Sequence, residues 1–368
     1  MINSQNQKSG NGSTNFQAQQ MLVQVGIDEK RAREIYQEMN WQSRQDYSQE
    51  ALNIANSRVT EFENRLMPKM AQVDGALEAF ADPSFQRLLV EAQKTAASTE
   101  RPADYDLLSE LLIHRFQKGE NRIARAGISL AVEIIDKISD EALLGLTVTH
   151  AVNSFSPASG DIHQGLDVLN ELFGKIFYSE LPTGDAWLDH LDILDAVRLN
   201  PFGHLKKVEE YYSKLLPGYI DVGIHKNSEN HDKVIELLKL HDLSIGFLIE
   251  HSLNSDFLRL PIRSINSIDK FSFIEQVVRE DCLIQTPINL SEEQRKALIS
   301  IYELYSKDSN LRQNNVNSFM NEWDKRPNLK TLREWWDNIP TSFTVTSVGK
   351  VLAHSNAQRC DKSLPPLG

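Results

Sequence analysis

The sequence predicts a mainly α-helical protein, a multi-helix array preceded by one short N-terminal strand. Three observations carry this. Apolar residues recur at three- and four-residue spacing through most of the chain, the period of a helix buried on one face. Glycine (17) and proline (13) are sparse in 368 residues, which favours long regular elements over a turn-dense β layout. Hydrophobic residues make up 40% and charged residues 24%, enough to bury a sizeable core and too apolar for a globally disordered chain.

Residues 1–14 are rich in Asn, Ser, Gly and Gln and read as a flexible lead-in. Residues 15–26 read as the strand, with Met21, Val23 and Val25 alternating up to Gly26. A lone strand ahead of a helical body needs hydrogen-bond partners, either a strand elsewhere in the chain or the same strand of another copy, and on the second reading these three residues are the candidate oligomer interface. Residues 27–152 form the expected N-terminal helical domain. Asp28 suits a helix cap, followed by Ala32, Ile35, Tyr36 and Met39 at helical spacing. A second helix over 45–66 carries Leu52, Ala55, Val59, Phe62 and Leu66, and Pro68 is expected to end or bend it. Asp82-Pro83 opens a helix to Thr95. Asp104 or Asp106 is expected to cap the next, through Leu107, Leu108, Leu111 and Leu112. Helices over 122–137 and 139–152 complete the array.

The stretch NSFSPASGD (153–161) is a loop signal and a domain boundary. The middle region, 162–254, predicts helices over 166–177, 185–199, 204–215 and 231–253. Residues 255–290 read as an irregular connector whose LRLPIRSI and CLIQTPINL segments fit short strands or extended chain. The C-terminal module, 291–360, opens with the capping-box spacing Ser291–Gln294 ahead of Ala297, Leu298, Ile301, Leu304 and Tyr305. Helices around 317–324 and 328–338, a strand over 342–346 and a last helix from Ser347 follow, then a tail, 361–368.

A net charge of -12 opposes a dedicated nucleic-acid coat and adsorption to anionic lipid. The two cysteines, Cys282 and Cys360, cannot build a disulfide framework or a zinc ribbon and fit a reducing compartment. The polar start lacks the apolar run of a secretory signal, and no stretch approaches the ~20 apolar residues of a membrane span. A cytoplasmic protein without a membrane partner is expected.

Four histidines, His225, His231, His241 and His251, fall in one stretch, two of them followed by aspartate, a pairing that metal-dependent phosphohydrolases use. On a continuous helix a ten-residue step turns about 1000°, which leaves successive histidines off one face. Asp185, Asp189, Asp192 and Asp195 share a predicted helix face, as a cation site would. Trp187, Leu188, Leu191, Leu194 and Val197 already explain that pattern as a solvated face behind a buried one. There is no G-x-S-x-G elbow, no G-x-x-x-x-G-K-[ST] and no G-x-G-x-x-G. No catalytic, metal-binding or cofactor-binding residue is nominated, and no cofactor is expected. The densest positive patch is Arg115, Lys118, Arg122 and Arg125, beside His114, a candidate grip for a phosphate or an acidic partner.

The opening GNGSTNFQAQQMLVQVGID, REIYQEMN, and the block DPSFQRLLVEAQKTAAST with DLLSELLIHRF resemble an uncharacterised bacterial family that begins with a Gly-Asn-Gly-Ser-x-Asn-x-Gln strand. The ending FTVTSVGKVLAHSNAQR is similar to the L-T-x-x-G-x-x-[LIF] close of winged-helix-like modules and of abortive-infection-type bacterial proteins. Val345, Thr346 and Gly349 hold the key places. The resemblance implies a winged-helix-like C-terminal module over 291–360, and a setting in bacterial defence against phage. In such a module the helix over 328–338 would enter a nucleic-acid groove through Lys330 and Arg333. This chain departs from the pattern in showing a single wing strand and in carrying Glu334, Trp335, Trp336 and Asp337 on that helix.

Together these readings give the expected function: a non-enzymatic, homo-oligomeric interaction protein, with a co-encoded protein as a further partner. The alternatives are a nucleic-acid-binding regulator acting through the C-terminal module and a metal-dependent nuclease or phosphohydrolase.

Overall fold

The computed structural model describes residues 29–118, 121–270, 273–279, 282–288 and 290–367. The expected strand with Met21, Val23 and Val25 lies outside the described residues. The chain divides into two compact units, residues 1–57 and 58–368. In the first unit the described residues are helical, the opening of α1 (Glu29–Gln72). Its side chains stay largely exposed, including Tyr36, Met39, Trp41, Tyr47 and Leu52. The two helices expected here are one, and α1 continues through Pro68 instead of ending there. Within the second unit Phe62, Leu66 and Met70 are buried at four-residue spacing, and that burial holds the last turns in place where a proline would otherwise stop them.

After α1 the second unit continues with a left-handed Gly75 and a 3-10 segment, Ala76–Ala81. Next come α2 (Pro83–Ser98), capped by Asp82, α3 (Pro102–Gln117), α4 (Arg122–Ile134), capped by Asn121, and α5 (Asp140–Ser154), capped by Ser139. Asp104 does not cap α3. It lies buried in the first turn, accepting from Thr99 Oγ1 and from Arg101 Nε at 3.0 Å. Burial raises its carboxyl pKa, and those two donors pull the other way.

Then follow α6 (Ile162–Ile176), α7 (Ala186–Ile193), β1 (Val197–Asn200), α8 (Val208–Leu215) and α9 (Pro217–Ile220). The helix expected over 185–199 stops early because Asp195 turns left-handed (φ 58°). Val197 and Leu199 then leave for a strand that pairs across the chain. The helix expected over 204–215 starts only at Val208, whose N–H is capped from afar by Asp337 Oδ1 at 2.8 Å. Residues 204–207 are left outside it.

A smaller substructure contains β2 (Ile224–His225), α10 (Glu229–Leu240), β3 (Ile249–Glu250) and β4 (Phe257–Arg259), with strand order β2-β4-β3, all antiparallel. The helix expected over 231–253 ends at Leu240, where a left-handed Asp242 (φ 52°) turns the chain. The connector expected over 255–290 is ordered strand in part. β5 (Phe273–Arg279) and β6 (Cys282–Ile288) form an antiparallel ladder from Phe273↔Ile288 to Arg279↔Cys282. The capping box at Ser291–Gln294 is present and opens α11 (Glu292–Glu303). α12 (Ser309–Asp324), α13 (Pro327–Trp336), β7 (Ser342–Val345) and α14 (Ser347–Cys360) complete the chain.

Burial redraws the expected domain boundaries. One large core takes residues from α1 through α9 and again from α12 to α14, while a second, smaller core runs from Ile224 to Tyr305. At the centre of the large core, α5 is buried continuously from Ala142 to Val152 and α14 from Val351 to Ala357. Helices buried on every face lie inside a protein, and the polar residues they carry, Thr147, Thr149, His150, His354, Ser355 and Asn356, are buried with them. The chain's last helix therefore completes the N-terminal array, packed on α3, α4 and α5. The strand read as a wing pairs instead with the middle region, Val197↔Val345 to Asn200↔Ser342. Among the described residues no helix is long and apolar enough to cross a membrane.

Candidate functional site

Three histidines that lie far apart in sequence meet between α3, α5 and α14. His150 Nε2 and His354 Nδ1 are 3.1 Å apart, and His354 Nε2 lies 3.0 Å from the Pro365 carbonyl. A carbonyl only accepts, so His354 carries its proton on Nε2 and its Nδ1 accepts from His150 Nε2. His150 Nδ1 is then an acceptor, facing the Ser154 hydroxyl at 3.3 Å. Hydrogen bonds thus run in one direction, from Ser154 through both imidazoles to Pro365. His114 stands alongside, donating from Nε2 to Gln358 Oε1 at 2.7 Å and accepting from Ser355 Oγ at 3.0 Å. Burial keeps these rings neutral. It lowers His150 and His354 to about 4 and His114 below its ordinary value. At His150 the nearby His354 and the Lys350 ammonium push the same way.

His150 and Ser154 form one wall of a groove of about 700 Å³ between α5, the 204–206 segment, α13 and β7. Its apolar surface comes from Leu205, Trp336, Phe343 and Val345. The Trp336 ring lies 6.2 Å from that of Tyr211, and its Nε1 donates to the Lys206 carbonyl at 2.9 Å. The polar groups on the α5 side are internally satisfied: Thr149 donates to Gly145 O, Asn153 to Thr149 O, and Tyr211 to Asn153 Oδ1. Thr344, Lys206, Lys350 and His204 complete the lining, and none of the described lining residues is acidic.

The residues nominated from sequence lie elsewhere. Arg115 is buried, with Nη2 on Ser84 Oγ at 2.8 Å, and Lys118 Nζ donates to the Leu367 carbonyl. Arg122 begins α4 exposed, and Arg125 is half-buried. On α13, Arg333 is held by Asp324 at 2.6 Å and Lys330 lies 3.9 Å from Glu334. The buried face of α13 is Leu329, Leu332, Trp335 and Trp336.

The four clustered histidines scatter as well. His225 is on β2, His231 in the first turn of α10, His241 at its end, and His251 buried against the Asp221 carbonyl at 3.1 Å. The aspartates of 185–195 serve the local fold. Asp192 accepts from Leu199 N at 3.3 Å and Asp195 pairs with Arg198 at 2.8 Å. Among the described residues no three His, Cys, Asp or Glu side chains converge as metal ligands would. The Cys360 thiol is half-buried and its pKa is pushed up by burial.

The histidine chain has a signature that sequence reading passed over. His114, His150 and His354 each interrupt an apolar helical run (LLIHRF, TVTHAV, VLAHSN). A polar residue at an interior position needs a buried partner, yet nothing in the linear order says which helices bring the partners together.

No curated protein and no solved structure matches the chain. A family model described as ":-like" matches residues 26–364, which covers both the exposed opening of α1 and every residue of the groove. The chain belongs to that family.

Proposed function

We propose that this protein is a non-enzymatic, self-assembling interaction protein, and that residues 29–57 of α1 are the surface on which copies join. The observation that supports this reading is the exposure of Tyr36, Met39, Trp41, Tyr47 and Leu52, each more than half open to solvent. Single exposed apolar residues are ordinary, but a run of large ones along one helix marks an interaction surface. Tyr36 and Tyr47 are eleven residues apart, and so are Trp41 and Leu52. Eleven residues bring an α-helix back to almost the same bearing, so each pair defines its own line along the helix. A second copy is the natural occupant, because the same repeat recurs on both lines and lets one helix mate with its like. The abortive-infection-type resemblance gives such an assembly a setting in bacterial phage defence.

Light scattering on the full chain tests the reading. The wild type is expected to be oligomeric, and Trp41→Glu with Tyr47→Glu to reduce its mass to that of the monomer without changing helical content. A monomeric wild type, or a double variant of unchanged mass, refutes it.

A further inference from the structure

We propose that the groove between α5, α13 and β7 is a binding site for a small planar anion, an aromatic ring carrying a phosphate or carboxylate group. Its volume of about 700 Å³ is in the range of ligand clefts. Trp336 and Phe343 are buried side chains that present ring surface to it, as a site for a flat apolar body requires.

The charge of the lining is the second argument. The chain carries 51 acidic residues against 39 Lys and Arg, yet the groove holds Lys206 and Lys350 with no carboxylate among its described lining residues. Neither ammonium forms an ion pair or hydrogen bond with any described residue. The smaller cavity beside Ser154 shows the usual alternative: there Lys175 is neutralised by Asp361 at 3.0 Å and Glu171 at 2.8 Å. Two cations left without counter-charge over an aromatic floor, in an acidic protein, form a local positive field that selects an anion.

The hydrogen-bonding inventory points the same way. Thr149, Asn153, Ser154 and Tyr211 are already engaged with one another, with His150 or with α5. The side chains left to contact a ligand are the two ammonium groups, which only donate, with His204 and the Thr344 hydroxyl, neither of which has a hydrogen-bond partner among the described residues. A neutral aromatic would leave both charges unanswered. A bare inorganic anion would leave the ring surface uncovered. A ligand combining the two parts satisfies both.

The test is calorimetric titration of the full-length protein with a panel of AMP, GMP, CMP, UMP, phenyl phosphate and 4-hydroxybenzoate, with adenosine and inorganic phosphate as controls. At least one aromatic anion is expected to bind, with each control weaker by about tenfold or more, since a charge-assisted contact is lost in one and the ring in the other. Lys206→Glu with Lys350→Glu, both exposed and unpartnered, is expected to abolish binding while circular dichroism stays unchanged. Trp336→Leu provides a second variant that removes ring surface. The proposal is overturned if no panel member binds at millimolar concentration. Binding that survives the lysine reversal, or adenosine binding as tightly as AMP, overturns it equally.

Discussion

Gly349 meets the carbonyl oxygen of Ala196 with no room between them for a β-carbon. Three residues earlier Thr346 caps α14, its Oγ1 accepting from Gly349 N at 3.1 Å and donating to the Asp195 carbonyl at 2.6 Å. The T-x-x-G spacing of the C-terminal segment is therefore a device for docking α14 against the end of β1. Its glycine makes close approach possible, and its threonine joins the helix cap to the neighbouring strand.

Gly349→Ala should thus act on the packing of α14 against the Ala196 carbonyl and the Val345 side chain. Forcing a methyl against backbone costs about 1–3 kcal/mol in an ordinary overpacked core, and the obstruction here is a carbonyl that cannot rotate away. We expect a loss at the upper end of that range in urea unfolding. A variant as stable as the wild type would show that α14 sits further from β1.

Acid should destabilise the protein through its histidines. In the folded protein burial lowers His150, His354 and His251 to about 4, from an ordinary value of 6.5. Below 6.5 the unfolded chain takes up protons that the folded chain refuses, so the unfolded state binds more protons and stability falls as pH falls. The loss begins near 6.5 and levels off near 4, and each ring contributes up to a few kcal/mol. His354→Phe should flatten the stability-against-pH curve in this window when urea midpoints are compared at pH 7 and 4.5. An unchanged slope would mean that His354 titrates normally.

Arg259 should not be replaceable by lysine. Its guanidinium is buried and donates to four carbonyls, those of Gly218, Leu260, Ile262 and Gly160 at 2.5–3.3 Å, with the Tyr219 ring 5.8 Å away. A lysine keeps the charge but cannot present donors as a planar fork. Arg259→Lys is expected to cost about 2–4 kcal/mol by leaving buried carbonyls unpaired. Thermal unfolding indistinguishable from wild type would contradict the assignment of this side chain as the link between the 157–161 and 260–263 segments.

Arg65 offers the contrast. It pairs with Asp106 at 2.8 Å and Glu61 at 2.7 Å, but at a partly exposed surface. Surface pairs are worth about 0–1 kcal/mol and are screened by salt. Arg65→Ala should therefore lower stability by no more than that, and by less in high salt. A loss of several kcal/mol would mark the network as a structural anchor of α1.

Much of the helical layout was legible because it rests on short-range rules. Asp82-Pro83, Ser139 and the Ser291–Gln294 box mark helix starts by side-chain geometry confined to one turn. The misplaced boundaries share the opposite cause. α7 gives way to β1 because Phe343 and its neighbours lie opposite Val197–Asn200, and α8 begins where Asp337 reaches Val208. Both partners are more than a hundred residues away, beyond any local periodicity.

The sequence by itself determined the helical class, the caps, the acidic net charge and the apolar character of much of the segment that becomes α5, since each depends on neighbouring residues. Tertiary structure alone decided that α14 would close the N-terminal array, that His114, His150 and His354 would meet, and that Lys206 and Lys350 would border one aromatic groove. Those outcomes depend on which buried faces fit together, and packing is a property of surfaces that linear order does not bring into contact.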